Sequence, residues 1–232
     1  MENDVRIDNS PAGPILRPAG HSPTVVLYLP ATPEPDLDTA ARLARLTGST
    51  VLCCHYRDHF PEALQDAHAG YRYCRHEGEV VVVGERMGAG LAAALLVQLR
   101  DSGADLPARA VLVSALLDLT MRARSLRLHA SGEASSRITE LRQRVSDYAG
   151  GAQLTDPYLS PLYANLHGLT PVRIAVAGTD PLLDDSLAFA ARAARSGVEV
   201  DLRVWPDATG LDVAAVITDL AAPGRTSPMV SG

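Results

Sequence analysis

The amino-acid sequence predicts an α/β fold, in which a mostly parallel central sheet of about eight strands carries helices on both faces. Short runs of β-branched residues alternate with longer helical stretches along the chain, as in consecutive β-α units. Several runs are apolar throughout, as expected of strands that are buried on both faces of a parallel sheet. The 232 residues are also enough to build one sizeable hydrophobic core.

Two short runs near the amino terminus, Val5–Asp8 and Ile15–Arg17, flank a Pro-Ala-Gly-Pro turn and predict an antiparallel edge of the sheet. Six further strands are predicted at Thr24–Leu29, Thr50–Cys54, Glu79–Val83, Arg109–Ser114, Val172–Ala177 and Glu199–Val204. Six helices are predicted at Asp36–Leu46, Pro61–Arg75, Gly88–Ser102, Ser135–Tyr148, Asp184–Ser196 and Leu211–Ala222. The long interval Leu116–Pro171 is interpreted as an insertion into the fold.

The composition restricts the classes of function. The chain has 27 acidic and 21 basic residues, for a net charge of −6, and every basic residue is an arginine, so neither nucleic-acid binding nor lysine chemistry is expected. No apolar run reaches the length of about 18 residues that a membrane helix needs, and residues 1–23 lack the apolar core of a signal peptide. We expect one domain over residues 1–222, a disordered tail over residues 223–232, a cytoplasmic location and no membrane partner.

Three cysteines, Cys53, Cys54 and Cys74, are too few and too irregularly spaced for a disulfide framework or a zinc site. We also expect no other metal and no cofactor. Cys53 and Cys54 lie in a predicted strand, where burial as small apolar side chains is a more common role than nucleophilic catalysis.

Several motifs between Pro30 and Thr209 resemble those of a known family. They are Tyr56-Arg57 followed by Phe60–Leu64 (FPEAL), Leu112–Thr120 (LVSALLDLT), Asp156–Pro161 (DPYLSP), and Ala177–Asp185 (AGTDPLLDD) followed by Ala188–Trp205. With these motifs the chain resembles the α/β-hydrolase fold, and specifically the hormone-sensitive-lipase-like esterases and their plant carboxylesterase relatives. The resemblance implies an α/β-hydrolase sheet with a reduced or absent N-terminal cap.

Hydrolysis in this fold uses a serine on a G-x-S-x-G turn, followed along the chain by an acid and a histidine. The corresponding turn, Gly84–Gly88, reads GERMG, so that Arg86 stands at the position of the nucleophile. Asp180 matches the acid of the family. The histidine position falls on Gly210, or on Thr209 after a slip of one residue. The resemblance therefore implies a degenerate triad.

Two further features bear on the chemistry of this site. The loop that corresponds to the oxyanion loop of the family, Leu29–Pro33, contains two prolines, which lack the backbone N–H groups that such a loop supplies. Arg86 is expected at the carboxyl ends of the strands, where it could bind a carboxylate, phosphate or enolate, or could simply pair with Asp180. His55 is the third candidate catalytic residue, as a proton shuttle near pH 7 or as a structural residue.

Five residues are predicted to contribute to binding: Glu85, Met87, Tyr56, Ser114 and Thr209. Glu85 could anchor the turn or exchange protons. Ser114 is expected at a strand end on the same side as the turn, where a structural hydroxyl is the simpler interpretation.

These positions lead to three hypotheses about function. The first is a non-hydrolytic tailoring enzyme of bacterial specialised metabolism, which catalyses cyclisation, elimination, dehydration or isomerisation of a polar or anionic small molecule. Arg86 would stabilise negative charge in that reaction and Asp180 would move a proton. The second is a catalytically silent small-molecule-binding protein, and the third is an esterase-like hydrolase with a non-standard site. A homodimer is possible in each case.

Overall fold

An eight-stranded sheet forms the centre of the computed structural model, which describes residues 5–20, 22–34, 36–128, 134–207 and 214. The strands are β1 Val5–Ser10, β2 Gly13–Pro18, β3 Thr24–Leu29, β4 Thr50–Cys53, β5 Glu79–Glu85, β6 Arg109–Val113, β7 Val172–Ala177 and β8 Val200–Trp205. Their spatial order is β1-β2-β4-β3-β5-β6-β7-β8. Strands β3 to β8 run parallel to one another, and β1 and β2 form an antiparallel hairpin beside β4.

Helices cover both faces of this sheet. They are α1 Leu37–Thr47, α2 Glu62–Glu77, α3 Met87–Asp101, α4 Arg124–Leu128, α5 Ala134–Ala149 and α6 Leu183–Arg195, with a short 3-10 turn at Pro161–Tyr163. Helices α2, α3 and α6 pack on one face against alternate residues of the strands such as Leu27, Val82 and Leu112. Helix α1 packs on the other face, where Leu43 contributes to a second cluster with Tyr28.

The architecture confirms the predicted α/β class, including the antiparallel edge and the helices on both faces. Strand β5 is longer than predicted, because Gly84 pairs with Leu29 of β3 and Glu85 pairs with Val113 of β6. Helix α4 and the 3-10 turn are absent from the prediction, since elements of five and three residues carry no readable periodicity. The predicted helix Leu211–Ala222 and the tail 223–232 lie outside the described residues, apart from Ala214.

The topology brings the ends of several strands together. Because β3, β5, β6 and β7 are parallel neighbours, their carboxyl ends lie along one edge of the sheet, which is where open α/β folds bind ligands. The residues that follow these strands are Pro30, Arg86, Ser114 and Gly178. None of the helices in the described part of the chain has both the length and the apolarity needed to span a bilayer.

The first turn of α3 packs unusually closely on the end of β3, which gives a test of the fold. A Cβ atom added at Gly88 would lie well inside contact distance of the carbonyl oxygens of Leu29 and Pro30. We expect Gly88→Ala to lower the free energy of unfolding by about 1–3 kcal/mol or more, because the backbone cannot withdraw without moving α3. Urea unfolding followed by circular dichroism measures this loss.

Gly20→Ala is the matched control, since a Cβ at Gly20 would meet no atom within 4 Å. The midpoint of its urea unfolding should stay close to that of the unmodified protein. Equal midpoints for the two variants would contradict the close approach of α3 to β3.

Candidate functional site

The turn between β5 and α3 holds Arg86 in a backbone conformation that non-glycine residues rarely adopt. Its φ is +48° and its ψ is −111°, in the left-handed half of conformational space. Three hydrogen bonds fix this conformation: the Arg86 N–H donates to Val113 O at 3.0 Å, and the Arg86 carbonyl accepts from Gly90 N and Leu116 N at 3.2 and 3.1 Å. Such strained turns persist only where the surrounding structure determines them, and they occur at functional sites. The turn thus has the form of a nucleophile elbow, with a guanidinium in place of a hydroxyl.

Two glycines make this turn possible. A Cβ on Gly84 would collide with the backbone of Gly88 and Ala89, so that the strand end and the first turn of α3 approach each other closely. The G-x-x-x-G spacing of the sequence therefore has a steric cause that does not depend on which residue occupies its centre.

The structure brings Arg86 and Asp180 together, as the family positions predict. Arg86 Nη2 lies 3.7 Å from Asp180 Oδ2, and the side chain of Arg86 is 53% exposed while that of Asp180 is 4% exposed. Asp180 follows β7, and its Oδ1 accepts a hydrogen bond from Leu182 N at 2.8 Å. The second oxygen thus faces the guanidinium at the carboxyl edge of the sheet. Within the described residues, no histidine makes a hydrogen bond to Asp180.

Glu85 is bound on the other side of the turn. Its Oε1 accepts a hydrogen bond of 2.5 Å from the hydroxyl of Tyr28, a buried residue of β3. Burial raises the pKa of Glu85 and so does nearby Asp36, whereas the Tyr28 hydrogen bond and the charge of Arg86 act in the opposite direction. The contact joins the end of β5 to β3, which favours the anchoring role over proton exchange.

The remaining predicted binding residues lie around the turn. Tyr56 is buried and its hydroxyl donates to Pro30 O at 2.7 Å, which ties the loop after β3 to the segment after β4. Ser114 has φ +47°, is 7% exposed, and donates its N–H to Ala175 O at 2.8 Å. Met87 packs partly buried against the main hydrophobic cluster. Thr209 lies outside the described residues, as does Gly210.

His55 is not brought to the guanidinium. Its side chain is exposed, its N–H donates to Ala12 O at 2.9 Å, and within the described residues it makes no hydrogen bond or ion pair with Arg86 or Asp180. The proposed proton shuttle therefore remains a prediction without a supporting contact.

The cysteines offer no nucleophile. All three are free thiols buried in the core. Burial raises the pKa of Cys53 and of Cys74 to about 12, so both are protonated near pH 7. Among the residues that the structure describes, no group of three or more histidine, cysteine or acidic side chains is arranged to hold a metal ion.

An apolar cavity of about 350 Å³ lies between residues 119–121 and α5. Leu119 borders it, and Leu119 also borders a narrow gap beside Met87 and Leu116 at the start of α3. The gap holds only about 10 Å³, so it has room for about one water molecule and not for an alkyl chain.

One acidic residue of the site was not predicted. Asp185, at the start of α6, is buried and its Oδ2 accepts hydrogen bonds from Leu117 N and Asp118 N at 2.9 and 3.0 Å. Burial raises the pKa of Asp185 to about 6, although the two backbone hydrogen bonds oppose the shift. Asp185 thus fixes the segment after β6, beside Arg86. The sequence signal for it is the second acidic position of the Ala177–Asp185 motif.

Comparison with known proteins agrees with this geometry. A family model described as alpha/beta hydrolase fold matches residues 25–209. The chain belongs to this α/β-hydrolase family. It is 33% identical over 206 residues to an acetyl-hydrolase from Streptomyces hygroscopicus, which covers 83% of this chain and 69% of that protein. It is 31% identical over 151 residues to an esterase from Acinetobacter venetianus, which covers 63% of this chain and 50% of the esterase.

A solved structure agrees with the same assignment. The fold of this α/β-hydrolase chain is similar to the crystal structure of an esterase from the bacterial hormone-sensitive lipase family. The TM-score is 0.80, the sequences are 30% identical, and the match covers 88% of this chain and 75% of the other. The resemblance to hormone-sensitive-lipase-like esterases is confirmed at the level of family and fold.

These relatives overturn the first hypothesis about function. The expectation of a non-hydrolytic tailoring enzyme is wrong, because the relatives found are named as an acetyl-hydrolase and esterases and thus point to ester hydrolysis. The physical reason for the error is that an arginine at position 86 argues only against a serine nucleophile on this turn. It does not indicate that the protein catalyses a reaction other than hydrolysis.

Asp185 gives a pH-dependent test of the segment beside the turn. Its pKa is 3.8 as the reference value and about 6 in the folded chain, so the folded protein binds the proton more strongly between these values. The contribution of Asp185 to the free energy of unfolding is therefore fully present below about pH 4. It is lost as the pH rises through about 6, by up to about 3 kcal/mol. We expect Asp185→Asn to remove this decline, since an amide oxygen still accepts both N–H groups.

Urea unfolding of both proteins between pH 4 and pH 8 measures the difference. Asp185→Ala is the control, because it leaves the N–H groups of Leu117 and Asp118 without their acceptor and should destabilise at every pH. If the free energies of unfolding of the unmodified protein and of Asp185→Asn differ by the same amount at every pH, the expected titration of Asp185 is contradicted.

Proposed function

We propose that this protein hydrolyses short-chain carboxylic esters at a non-standard site, in which Arg86 binds the ester carbonyl and Asp180 activates water. The pairing of Arg86 with Asp180 at the strained turn carries the proposal. The acetyl-hydrolase and esterase names of the relatives support the choice of esters. The cavity of about 350 Å³ beside α5 is large enough for a substrate with a short alkyl group.

The proposal includes a degenerate triad. Arg86 occupies the nucleophile position, and a guanidinium has no lone pair available to attack an acyl carbon. The aligned histidine position carries glycine or threonine in the sequence. In this proposal no acyl-enzyme forms on the turn, and water is the nucleophile.

Arg86 supplies the electrostatic part of the mechanism. In the loop after β3, Pro30 and Pro33 have no N–H to donate to a developing oxyanion, whereas the guanidinium of Arg86 presents several donors. Negative charge grows on the carbonyl oxygen when water attacks, and a fixed cation lowers the energy of that state more than it lowers the energy of the neutral ester.

Asp180 supplies the base. Because Leu182 N binds Oδ1, the other oxygen, Oδ2, is the one that can accept a proton from water. The water oxygen forms a bond to the acyl carbon as its proton passes to Oδ2. The tetrahedral intermediate then breaks the bond to the alcohol oxygen, which takes the proton back from Asp180, leaving a carboxylic acid and an alcohol.

A second candidate is silent binding of a small molecule. The 4% exposure of the Asp180 side chain favours it, because a base must reach the water that it activates. In this case the Arg86–Asp180 pair would hold a ligand without turnover. The assay below separates the two candidates.

The first test is hydrolysis of p-nitrophenyl acetate. We expect Arg86→Gln to lower kcat/KM by about 100-fold, as for loss of one oxyanion donor. Asp180→Asn should lower it by about 100-fold or more, as for loss of a general base. Phenylmethylsulfonyl fluoride should not inhibit, since no serine is acylated on the turn. Arg72→Gln, which removes an exposed arginine on α2, is the control and should keep full activity. Release of p-nitrophenol no faster than in buffer would instead support silent binding.

The degenerate triad is tested by rebuilding it. We expect Arg86→Ser alone to produce no enzyme sensitive to phenylmethylsulfonyl fluoride, because the serine has no base. Adding Gly210→His should produce sensitive ester hydrolysis, and Thr209→His in its place tests the alternative alignment. Inhibitor titration with mass spectrometry of the labelled serine measures the result. Labelling of the single variant Arg86→Ser would show that another base already serves this position.

A further inference from the structure

The guanidinium of Arg86 has unused hydrogen-bonding capacity. Its Nη2 lies 3.7 Å from Asp180 Oδ2, beyond hydrogen-bond distance, and the side chain is 53% exposed. In the part of the chain that the structure describes, no other side chain or carbonyl accepts a hydrogen bond from it. The planar fork of an arginine can donate two parallel hydrogen bonds to one carboxylate.

The neighbouring carboxyl groups leave this fork available. Asp180 is held in place by Leu182 N on its other oxygen and is almost fully buried. Glu85 is engaged by the hydroxyl of Tyr28. Neither group therefore covers the exposed part of the guanidinium, although the charge of Asp180 opposes the approach of a second anion.

We propose that Arg86 makes the turn a binding site for short-chain monocarboxylates. A carboxylate can accept two charge-assisted hydrogen bonds from the fork, whereas a neutral ester or amide offers one uncharged carbonyl oxygen. The site therefore binds free carboxylates more tightly than neutral compounds of the same shape. If the proposed ester hydrolysis holds, the carboxylic acid that it releases is such a ligand. The acid product then inhibits the enzyme that forms it.

The surroundings specify the class of carboxylate. Met87, the residue after Arg86 at the start of α3, is only partly buried, so an alkyl chain attached to the carboxylate can cover its apolar surface and leave water. Affinity is expected to rise from acetate to butyrate. Because Asp180 repels the ligand, removal of its charge should strengthen binding.

Isothermal titration calorimetry at low salt tests the proposal with sodium butyrate as the probe and butyramide as its uncharged counterpart. We expect butyrate to bind at least about tenfold more tightly than butyramide. Arg86→Gln should lose this preference, and Asp180→Asn should bind butyrate several-fold more tightly than unmodified protein does. Arg72→Gln is the control and should bind as unmodified protein does. Circular dichroism establishes that each variant is folded.

Butyrate and butyramide binding equally, no binding of butyrate, or an unchanged affinity in Arg86→Gln would each overturn the proposal. An affinity of Asp180→Asn no higher than that of unmodified protein would also overturn it, since the carboxylate would then lie away from the pair. The result is independent of turnover: butyrate binding without ester hydrolysis refutes the proposed function alone. Ester hydrolysis without butyrate binding refutes this inference alone.

Discussion

The strained turn between β5 and α3 is the constraint on which the site depends. Its geometry is set by the backbone, because Gly84 and Gly88 pack against each other and three hydrogen bonds hold Arg86 at positive φ. A side chain at the centre of this turn projects at the carboxyl edge of the sheet whatever its chemistry is. The backbone therefore fixes the position of this side chain independently of its chemistry, so the fold alone does not determine the reaction.

Charge explains how a buried aspartate can lie at this edge of the sheet. An isolated buried aspartate is costly, so Asp180 needs a cationic or hydrogen-bonding partner if it is kept. In a Ser-His-Asp site that partner is an imidazole, which becomes positively charged during the reaction. Here Arg86 lies against the same carboxylate. Arg86 thus places a positive charge beside Asp180, which offsets the cost of burying that carboxylate.

Most of the fold could be predicted from the sequence, since β-branched runs and their spacing indicate strands and crossovers. The end of β5 could not be predicted from the sequence, because Gly84 interrupts the run of valines. Pairing of Gly84 with Leu29 and of Glu85 with Val113 extends the strand beyond that run. Within the site, Arg86 and Asp180 were predicted as neighbours from motif positions. The Tyr28–Glu85 and Leu117–Asp185 hydrogen bonds join residues that are 57 and 68 positions apart in the sequence. Local periodicity does not predict contacts between residues so far apart.

The two buried carboxyl groups, Asp180 and Asp185, show how similar residues in one motif take different roles. Asp185 accepts only backbone N–H groups, and its pKa is raised because these dipoles do not fully replace water. Asp180 has a guanidinium nearby and a free oxygen directed at it. Asp185 therefore fixes a segment of the chain, whereas Asp180 lies against the cation on which the proposed ligand site depends. The partner of each carboxylate, and not its place in the sequence motif, distinguishes the two.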